Sequence, residues 1–309
     1  MPMPYDIKNR LKIAVTSRAL FQLEKENEIY ENKGVEAYEK YQVEHENDIL
    51  KPGAGFQLIK ALLRLNETPG MEESVEVLIA SRNSANTSNR VFNSIEHYGL
   101  DITRGMFSSG SDIAKYLPVY DIDLFLTAKP KDAQAAIDAR IPAATIVTNH
   151  AKDYDTESEI SEIKIAFDGD AVLFSDESEA IYKQFGLDAF AEYEKKRAEQ
   201  PMEEGPFAKF LRAVNKVQSN QDDSPVKIRT ALVTSRNAPA HKRVITTLRA
   251  WDVRIDETFF LGGLPKTDIL KAFGAHIFFD DQKVYSESAA SVVPSATVPY
   301  LSTSMLFTE

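Results

Sequence analysis

The sequence repeats itself at an offset close to half its length. Lys12-Ile-Ala14 recurs as Lys164-Ile-Ala166 and Gly34 as Gly186, both 152 residues later, while Leu78–Asn83 recurs as Leu232–Asn237, 154 residues later. Chance similarity between two segments of mixed helix and strand would not keep register within two residues over the whole chain. We therefore predict a tandem duplication of a domain, with a period far longer than the repeats of solenoid proteins.

Each half predicts the same order of elements. A strand at 11–16, or 163–168, leads into a charged, mainly helical insert, and a second helix follows at 56–66, or 207–218. Short apolar runs then alternate with helical segments, which predicts an α/β fold with mainly parallel sheets and helices on both faces. The predicted domains are residues 1–151 and 152–309, the second with a helical insert at about 177–224. The acidic, polar segment Lys152–Glu162 is the natural boundary.

Composition excludes several classes of function. The 309 residues contain no cysteine, which rules out disulfides and thiol catalysis, and the net charge of −11 disfavours binding to a nucleic-acid polymer. No apolar run approaches the roughly 18 residues of a membrane helix, and the first residues lack an apolar signal core. We expect a cytoplasmic globular protein without a membrane partner; the sequence leaves open whether it forms a homo-oligomer.

Polar residues end four apolar runs of the second half. The runs finish, in chain order, at Asp168 and Asp170, at Thr234, at Lys266, and at Asp280–Asp281. The carboxyl ends of parallel strands line one crevice, where ligands of α/β proteins bind. Carboxylates there can hold Mg²⁺, which prefers hard oxygen ligands, and the lysine and threonine can hold phosphate oxygens. One carboxylate of the first pair could attack phosphorus while the other moves a proton.

Simpler interpretations exist for each residue taken alone. An Asp-x-Asp pair also occurs in calcium loops and ordinary turns, but the residues after Asp170 are apolar, whereas a calcium loop needs further oxygen ligands at alternate positions. Thr234 alone would be an ordinary strand-end residue, and Lys266 alone would be a solvated loop lysine. Only their place in the ordered set favours a catalytic interpretation.

This order and spacing resembles the haloacid dehalogenase superfamily and, more narrowly, the cytosolic 5′-nucleotidase type I family. The matching stretches are Ala14–Phe21, Tyr41–Asn47, Ala166–Glu179 and Ile277–Gln282. The resemblance implies Rossmann-like domains with helical caps. It also implies Mg²⁺-dependent hydrolysis of nucleoside 5′-monophosphates, with AMP favoured. The alternatives are a phosphatase of sugars or other small molecules from the same superfamily, and a nucleotide-binding regulatory protein with decayed catalysis.

The resemblance also implies roles for the strand-end residues. Asp168 would be the nucleophile and Asp170 the acid and base. Mg²⁺ would bind Asp168, the backbone carbonyl of Asp170, and a carboxylate of Asp280 or Asp281. Thr234 and Lys266 would hold the transferring phosphate oxygens.

Substrate contacts are predicted from two further segments. Ser235, Arg236 and Asn237 follow Thr234 in a loop and could reach the ribose or the phosphate. In the insert of the first half, His45 and Asn47 either contact the nucleoside or take ordinary solvated and helix-packing positions, and the resemblance favours the contact.

Comparison of the halves predicts that only the second half is catalytic. By repeat alignment, Thr16 replaces Asp168, Arg18 replaces Asp170, Ala80 replaces Thr234, Thr127–Ala128 replaces Asp280–Asp281, and the alignment near Lys266 is ambiguous between Asp112 and Ile113.

The first half gathers hydroxyls and cations at the corresponding strand ends. Arginine forks suit phosphate oxygens, so a metal-free anion site for a nucleotide effector is predicted there. The alternatives are that Arg18 and Arg82 pair with acids across the two halves, or that Arg18 reaches the catalytic pocket. The residues of this predicted site are Thr16, Ser17, Arg18, Ser81, Arg82 and Asn83.

Overall fold

The computed structural model describes residues 7–150, 154–155, 158–221, 224 and 226–308. The predicted boundary between residues 151 and 152 lies outside the described residues. The strands are β1 (Leu11–Val15), β2 (Val75–Ser81), β3 (Arg104–Phe107), β4 (Leu124–Thr127), β5 (Ala143–Ile146), β6 (Glu162–Phe167), β7 (Lys227–Thr234), β8 (Glu257–Phe260), β9 (Ile277–Asp280) and β10 (Ser295–Thr297).

Ten α-helices alternate with these strands in the described part of the chain. They are α1 (Ser17–Leu20), α2 (Glu24–Glu44), α3 (Phe56–Leu63), α4 (Asn89–His97), α5 (Pro130–Asp138), α6 (Glu177–Lys196), α7 (Ala208–Gln218), α8 (His241–Trp251), α9 (Thr267–Phe273) and α10 (Lys283–Ala289). None of these helices is long and apolar enough to cross a membrane.

The strands form one sheet in the order β3-β2-β1-β4-β5-β10-β9-β6-β7-β8. Every neighbouring pair is parallel except β5 and β10, which are antiparallel and place Thr145 opposite Thr297. The strand order of the first five strands is repeated by the last five. The predicted α/β class with a mainly parallel sheet is confirmed, and the two half-sheets join edge to edge.

Continuous apolar sequence explains why the central strands are buried. All five residues of β1 are buried, as are the last three residues of β6, Ile165 to Phe167. Strands covered by helices on both faces carry such uninterrupted apolar runs, unlike the alternating pattern of a half-exposed strand. Beneath the end of β6, the rings of Phe167 and Phe279 stack with centroids 5.7 Å apart, and Phe207 lies 4.7 Å from Phe279. This aromatic packing gives the strand ends a rigid base.

The two helical inserts have the same kink. Gly34 in α2 has φ +82° and ψ −178°, and Gly186 in α6 has φ +81° and ψ −176°. Residues with a side chain rarely adopt this conformation, so glycine is required where each long helix breaks into two shorter ones. The helical character predicted for both inserts is confirmed.

Hydrogen bonds beyond the sheet also recur. Nε of Arg90 in α4 donates to the carbonyl of Asp48 at 2.9 Å, and Nε of Arg243 in α8 donates to the carbonyl of Gln200 at 3.0 Å. Each arginine thereby connects the loop that follows its insert to a helix that packs against the sheet. The repeat in sequence thus corresponds to a repeat in contacts as well as in strand order.

The structure corrects one position of the repeat alignment. Ser81 ends β2 and pairs with Phe107, as Thr234 ends β7 and pairs with Phe260. The Ser81 hydroxyl accepts a hydrogen bond from the next-but-one backbone N–H at 3.2 Å, as the Thr234 hydroxyl does. The prediction that Ala80 replaces Thr234 is therefore wrong. The shared letters Ser-Arg-Asn shifted the alignment by one residue, whereas hydrogen-bond register fixes the true equivalence.

Candidate active site

Asp168 lies where β6 ends, at the centre of the second half-sheet. Its backbone N–H donates to the carbonyl of Phe279 at 2.8 Å, which continues the ladder with β9 by one residue. Its carboxylate accepts a hydrogen bond from the Gly169 N–H at 2.7 Å, and the residue is 8% exposed. The carboxylate is therefore fixed by backbone contacts at the strand end, as the sequence predicts.

Asp280 and Asp281 meet Asp168 because β6 and β9 are parallel neighbours in register. Phe167 pairs with Phe279, so the residues that follow them lie side by side. Carboxylate oxygens of the three aspartates all lie within 4.8 Å of one another, and all three residues are buried. We call these three residues the acid cluster. Its hard oxygen donors are suited to a cation such as Mg²⁺.

Lys266 bridges two members of the acid cluster. It precedes α9, and its Nζ lies 2.9 Å from Asp168 and 2.7 Å from Asp280. Burial by itself lowers the pKa of a lysine, but the charges of Asp168 and Asp280 outweigh burial and raise the pKa of Lys266 above its ordinary value. The lysine therefore stays protonated and places a permanent positive charge beside the predicted nucleophile.

Burial and mutual repulsion act on the acid cluster. Burial raises the pKa of Asp168 to about 7; Lys266 opposes this rise and Asp280 adds to it. Burial also raises the pKa of Asp281, and the charges of Asp168 and Asp280 raise it further. Three carboxylates beside one lysine leave excess negative charge, which a divalent cation would offset.

Thr234 reaches the same place from the end of β7. It is 1% exposed, and its Oγ1 accepts a hydrogen bond from the Arg236 N–H at 3.2 Å. A Cβ atom added to Gly169 would lie 3.4 Å from this hydroxyl oxygen and 3.3 Å from the Phe174 ring. Thr234 therefore lies against the turn that follows Asp168.

Asp170 lies in the tight turn Gly169–Leu173, where its carboxylate pairs with Arg236. Arg236 binds both of its carboxylate oxygens, with Nε 2.8 Å from Oδ2 and a terminal nitrogen 2.6 Å from Oδ1. The carboxylate of Asp170 is not a member of the group of acids that could hold a metal ion. This leaves its backbone carbonyl as the metal ligand predicted from the resemblance, a prediction that stays open.

Arg236 also binds Glu194, which is fully buried in α6. Burial lowers the pKa of Arg236, but Asp170 and then Glu194 outweigh burial and raise it. Glu194 accepts further hydrogen bonds from Arg243 at 2.9 Å and from Ser178 at 2.7 Å. The sequence predicts that Arg236 lies near the substrate. In the structure its guanidinium instead binds two carboxylates, and these contacts connect α6 to the turn that holds Asp170.

The other predicted substrate residues lie at different distances from the acid cluster. Ser235 and Asn237 are exposed in the loop after β7, and the side chain of Asn237 lies against Gly262. His45 stacks on Tyr41 at 3.9 Å, and its Nδ1 lies 2.8 Å from the Tyr41 carbonyl; Asn47 is exposed. None of the contacts among the described residues joins His45 or Asn47 to the acid cluster, so their nucleoside contact stays a prediction.

Two residues beside the acid cluster escape the sequence analysis. The Tyr300 hydroxyl donates to Asp281 and accepts a hydrogen bond from Lys183 Nζ at 3.1 Å. Glu179 accepts a hydrogen bond from Gln282 at 3.1 Å, and its pKa is raised chiefly by burial. Glu179 closes the stretch Ala166–Glu179 that carries the family resemblance, a signal that could have found it. No motif singles out Tyr300.

The residues predicted for an anion site border a cavity of about 400 Å³ in the first half. The cavity lies at the carboxyl ends of β1, β2 and β4 beneath α2, which corresponds to the position of the acid cluster under α6. The structure brings together the whole predicted set there, namely Thr16, Ser17, Arg18, Ser81, Arg82 and Asn83.

The fold and the site together define a class of protein. A parallel α/β sheet whose strand ends gather buried acids, a threonine and a lysine is suited to bind a metal ion and a phosphate group. Within that class, the chain matches the family described as 5′-nucleotidase over residues 3–305. The chain belongs to the 5′-nucleotidase family.

One relative shows the extent of the similarity. The chain is 39% identical over 301 residues to human cytosolic 5′-nucleotidase 1B, which covers 93% of this chain and 48% of the relative. The chain thus spans about half the length of this curated relative. No solved structure matches the chain.

Proposed function

We propose that this protein is a Mg²⁺-dependent phosphoric monoester hydrolase that releases phosphate from nucleoside 5′-monophosphates, with AMP favoured. The observation that carries the proposal is the convergence of Asp168, Asp280, Asp281 and Lys266 at neighbouring strand ends. Membership of the 5′-nucleotidase family supports the substrate class. The name of the human relative, a cytosolic enzyme, supports a cytoplasmic location.

The residues of the acid cluster fit a magnesium ion. Their donors are all carboxylate oxygens within 4.8 Å of one another, and their burial makes an uncompensated negative charge costly. Asp168, one of the two following aspartates and the backbone carbonyl of Asp170 would hold the ion. When bound, Mg²⁺ would neutralise charge on the phosphate and on the cluster.

The chemistry proceeds in two steps on this chain's residues. A carboxylate oxygen of Asp168 attacks phosphorus, the bond to the ribose 5′ oxygen breaks, and Asp170 gives that oxygen a proton. Water then attacks the aspartyl-phosphate and loses a proton to Asp170, which releases inorganic phosphate and restores Asp168. Thr234 and Lys266 hold the transferring oxygens and offset the charge that develops on them.

We further propose how the remaining parts are organised. The repeated strand order, the paired glycine kinks and the paired arginine contacts support a tandem duplication of a Rossmann-like, haloacid-dehalogenase-type domain, with copies at 1–151 and 152–309. Only the second copy is catalytic. Ser235 and Asn237 contribute to substrate binding, as do His45 and Asn47 from the first insert, whereas Arg236 orients Asp170. Homo-oligomer formation stays open.

The experiment is phosphate release from a panel of nucleoside monophosphates, sugar phosphates and an aryl phosphate, each with and without Mg²⁺. We expect release that requires Mg²⁺, is abolished by a chelator and is fastest with AMP. Preference for sugar phosphates would favour the general phosphatase instead. Binding of nucleotides without any phosphate release would favour the regulatory protein with decayed catalysis.

A further inference from the structure

The cavity of the first half repeats the strand-end architecture of the active site, with hydroxyls and cations at its strand ends instead of the acid cluster. The acids that line it, Glu26, Glu39 and Asp132, accept hydrogen bonds from Arg90, Ser84 and Arg82.

Strand register and hydrogen bonds assign each catalytic position an equivalent in the first half. The Thr16 N–H donates to the carbonyl of the residue before Thr127, and the Asp168 N–H donates to the carbonyl of the residue before Asp280. The equivalents of Asp168, Asp280, Asp281 and Lys266 are Thr16, Thr127, Ala128 and Ile113. A floor of hydroxyl and methyl groups cannot hold a divalent cation or supply a nucleophilic carboxylate.

Arg18 occupies the position of Asp170 and supplies a cation to this cavity. Its ion pair among the described residues is with Glu24 of its own half, at 3.5 Å, and its side chain keeps 28% of its surface exposed. Neither sequence-based alternative for Arg18 matches these contacts, because the pairing acid is in the same half and the cavity is separate from the acid cluster. The guanidinium is therefore available to an anion in the cavity.

Arg82 has a different role from the one expected. It binds Asp132 with Nε at 2.7 Å and donates to the Gly110 carbonyl at 3.0 Å. These contacts hold the cavity wall together and leave Arg82 a structural residue. Two further cations, Lys129 and Lys131, line the cavity at the beginning of α5.

The roof of the cavity is aromatic. Tyr30 and Tyr38 of α2 meet edge to face with centroids 5.9 Å apart, and Lys129 Nζ lies 5.0 Å from the centroid of the Tyr30 ring. The Tyr38 hydroxyl donates to Asn83 Oδ1 at 3.0 Å, whereas Asn83 Nδ2 is buried without a hydrogen-bond partner among the described residues. A ligand with a flat polar ring and an anionic end matches this combination of rings, donors and cations.

We propose that this cavity is a second nucleotide site, which binds its ligand without metal and does not hydrolyse it. The phosphate lies against Arg18 and the hydroxyls of the strand ends, and the base lies beneath Tyr30 and Tyr38. Its volume of about 400 Å³ falls within the range of small-molecule sites. The choice of a nucleotide as ligand rests on the proposed function, because the cavity repeats the architecture of the substrate site.

Helix α5 gives the cavity a contact route to the acid cluster. Lys131 and Asp132 line the cavity at one end of α5, and Gln134 donates to the backbone carbonyl of Tyr300 at 2.9 Å. The Tyr300 hydroxyl in turn donates to Asp281. These contacts connect the wall of the cavity to a ligand candidate of the acid cluster.

The test is calorimetric titration of AMP into the full chain in excess chelator. Without a cation, the acid cluster repels a phosphate ester, whereas the first-half cavity keeps its charge. We expect one binding event in the wild-type protein, at least tenfold weaker in Arg18→Ala. It should also weaken when Lys129 and Lys131 are both replaced by alanine, a change at the cavity mouth that spares the core. Adenosine alone and inorganic phosphate alone should each bind more weakly than AMP.

Two control variants separate this site from the active site. Asp168→Asn should keep the metal-free binding, and Glu24→Ala, which removes the ion-pair partner of Arg18, should keep or strengthen it. Absence of metal-free binding, binding that survives Arg18→Ala, or binding lost in Asp168→Asn would each overturn the proposal. Because neither metal nor turnover enters the measurement, its outcome is independent of the phosphate-release experiment.

Discussion

Arg236 holds both carboxylate oxygens of Asp170 in a two-pronged ion pair, with nitrogen–oxygen distances of 2.8 and 2.6 Å. The same guanidinium binds the buried Glu194 in the cap helix. Arg236 therefore orients Asp170, the residue proposed as acid and base, and also contacts the insert helix α6 through Glu194. An arginine fork fixes direction as well as charge, which a lysine cannot do.

Replacing this arginine by lysine should therefore disturb catalysis more than binding. In Arg236→Lys we expect kcat to fall roughly tenfold to a hundredfold, because a misdirected Asp170 loses part of the 10²- to 10⁴-fold typical of general acid catalysis. The Michaelis constant for AMP should change little, and the pH profile of kcat should shift. Steady-state kinetics across pH provide the measurement.

Arg243→Lys is the matched control, since Arg243 binds Glu194 at 2.9 Å but makes no hydrogen bond to Asp170 among the described contacts. It should lower thermal stability with little effect on the pH profile. Equal kinetic effects of the two variants would show that Arg236 acts only through the fold.

Removing the proposed nucleophile should abolish turnover without unfolding the protein. Asp168→Asn keeps the shape of the side chain and can still accept the hydrogen bond from Gly169, now observed at 2.7 Å. We expect phosphate release to fall by at least about 10³-fold, as for nucleophiles of other covalent mechanisms. Release assays and circular dichroism measure the two effects, and retention of more than a few per cent of turnover would refute covalent catalysis by Asp168.

The Tyr300 hydroxyl should support metal binding through Asp281. Tyr300→Phe removes the hydrogen bonds to Asp281 and Lys183 while keeping the ring. Removing a hydrogen bond that orients a metal ligand typically weakens metal binding about 10- to 100-fold, so the Mg²⁺ concentration for half-maximal activity should rise about tenfold or more. Titration of turnover with Mg²⁺ checks this.

Tyr154→Phe is the control, because Tyr154 donates to the Ala290 carbonyl at 2.7 Å and touches no member of the acid cluster among the described contacts. Its magnesium requirement should match that of the wild-type protein. If Tyr300→Phe also matched it, the hydroxyl would have no part in metal binding.

His276 should make folding stability sensitive to mild acid. Burial, and after it the charge of Lys164, lowers the pKa of His276 from 6.5 to about 4. The Nδ1 atom of His276 accepts a hydrogen bond from the Lys164 backbone N–H at 3.0 Å. A folded pKa below the unfolded one means that the unfolded chain binds the proton more readily. The stabilisation is therefore complete above pH 6.5 and is lost as pH falls towards 4.

Between pH 7 and 4.5 this single group should remove about 2 kcal/mol from the free energy of unfolding. His276→Asn retains an acceptor for the Lys164 N–H but does not titrate. Urea unfolding at the two pH values measures the free energy of unfolding. Its decrease on acidification should be smaller by that amount in the variant than in the wild-type protein. The same loss in both proteins would assign the acid sensitivity to other groups.

The sequence by itself determined the class of fold and the ends of its strands. Uninterrupted apolar runs mark buried parallel strands, and polar residues at their ends mark the ligand-binding edge. Asp168, Thr234, Lys266, Asp280 and Asp281 were predictable for that reason, because local pattern and parallel topology suffice to bring them together. The helical inserts were predictable from their charged composition.

Only the tertiary structure decided the contacts that depend on side-chain direction and on pairing between distant segments. The ion pair of Arg236 with Asp170, the hydrogen bond from Tyr300 to Asp281 and the equivalence of Ser81 with Thr234 all join residues whose spacing carries no periodic signal. The antiparallel junction of β5 with β10, which makes two half-sheets one, is likewise a non-local pairing. Hydrophobic periodicity reports which face of a segment is buried, but not which distant segment lies against it, because that choice depends on the packing of the whole chain.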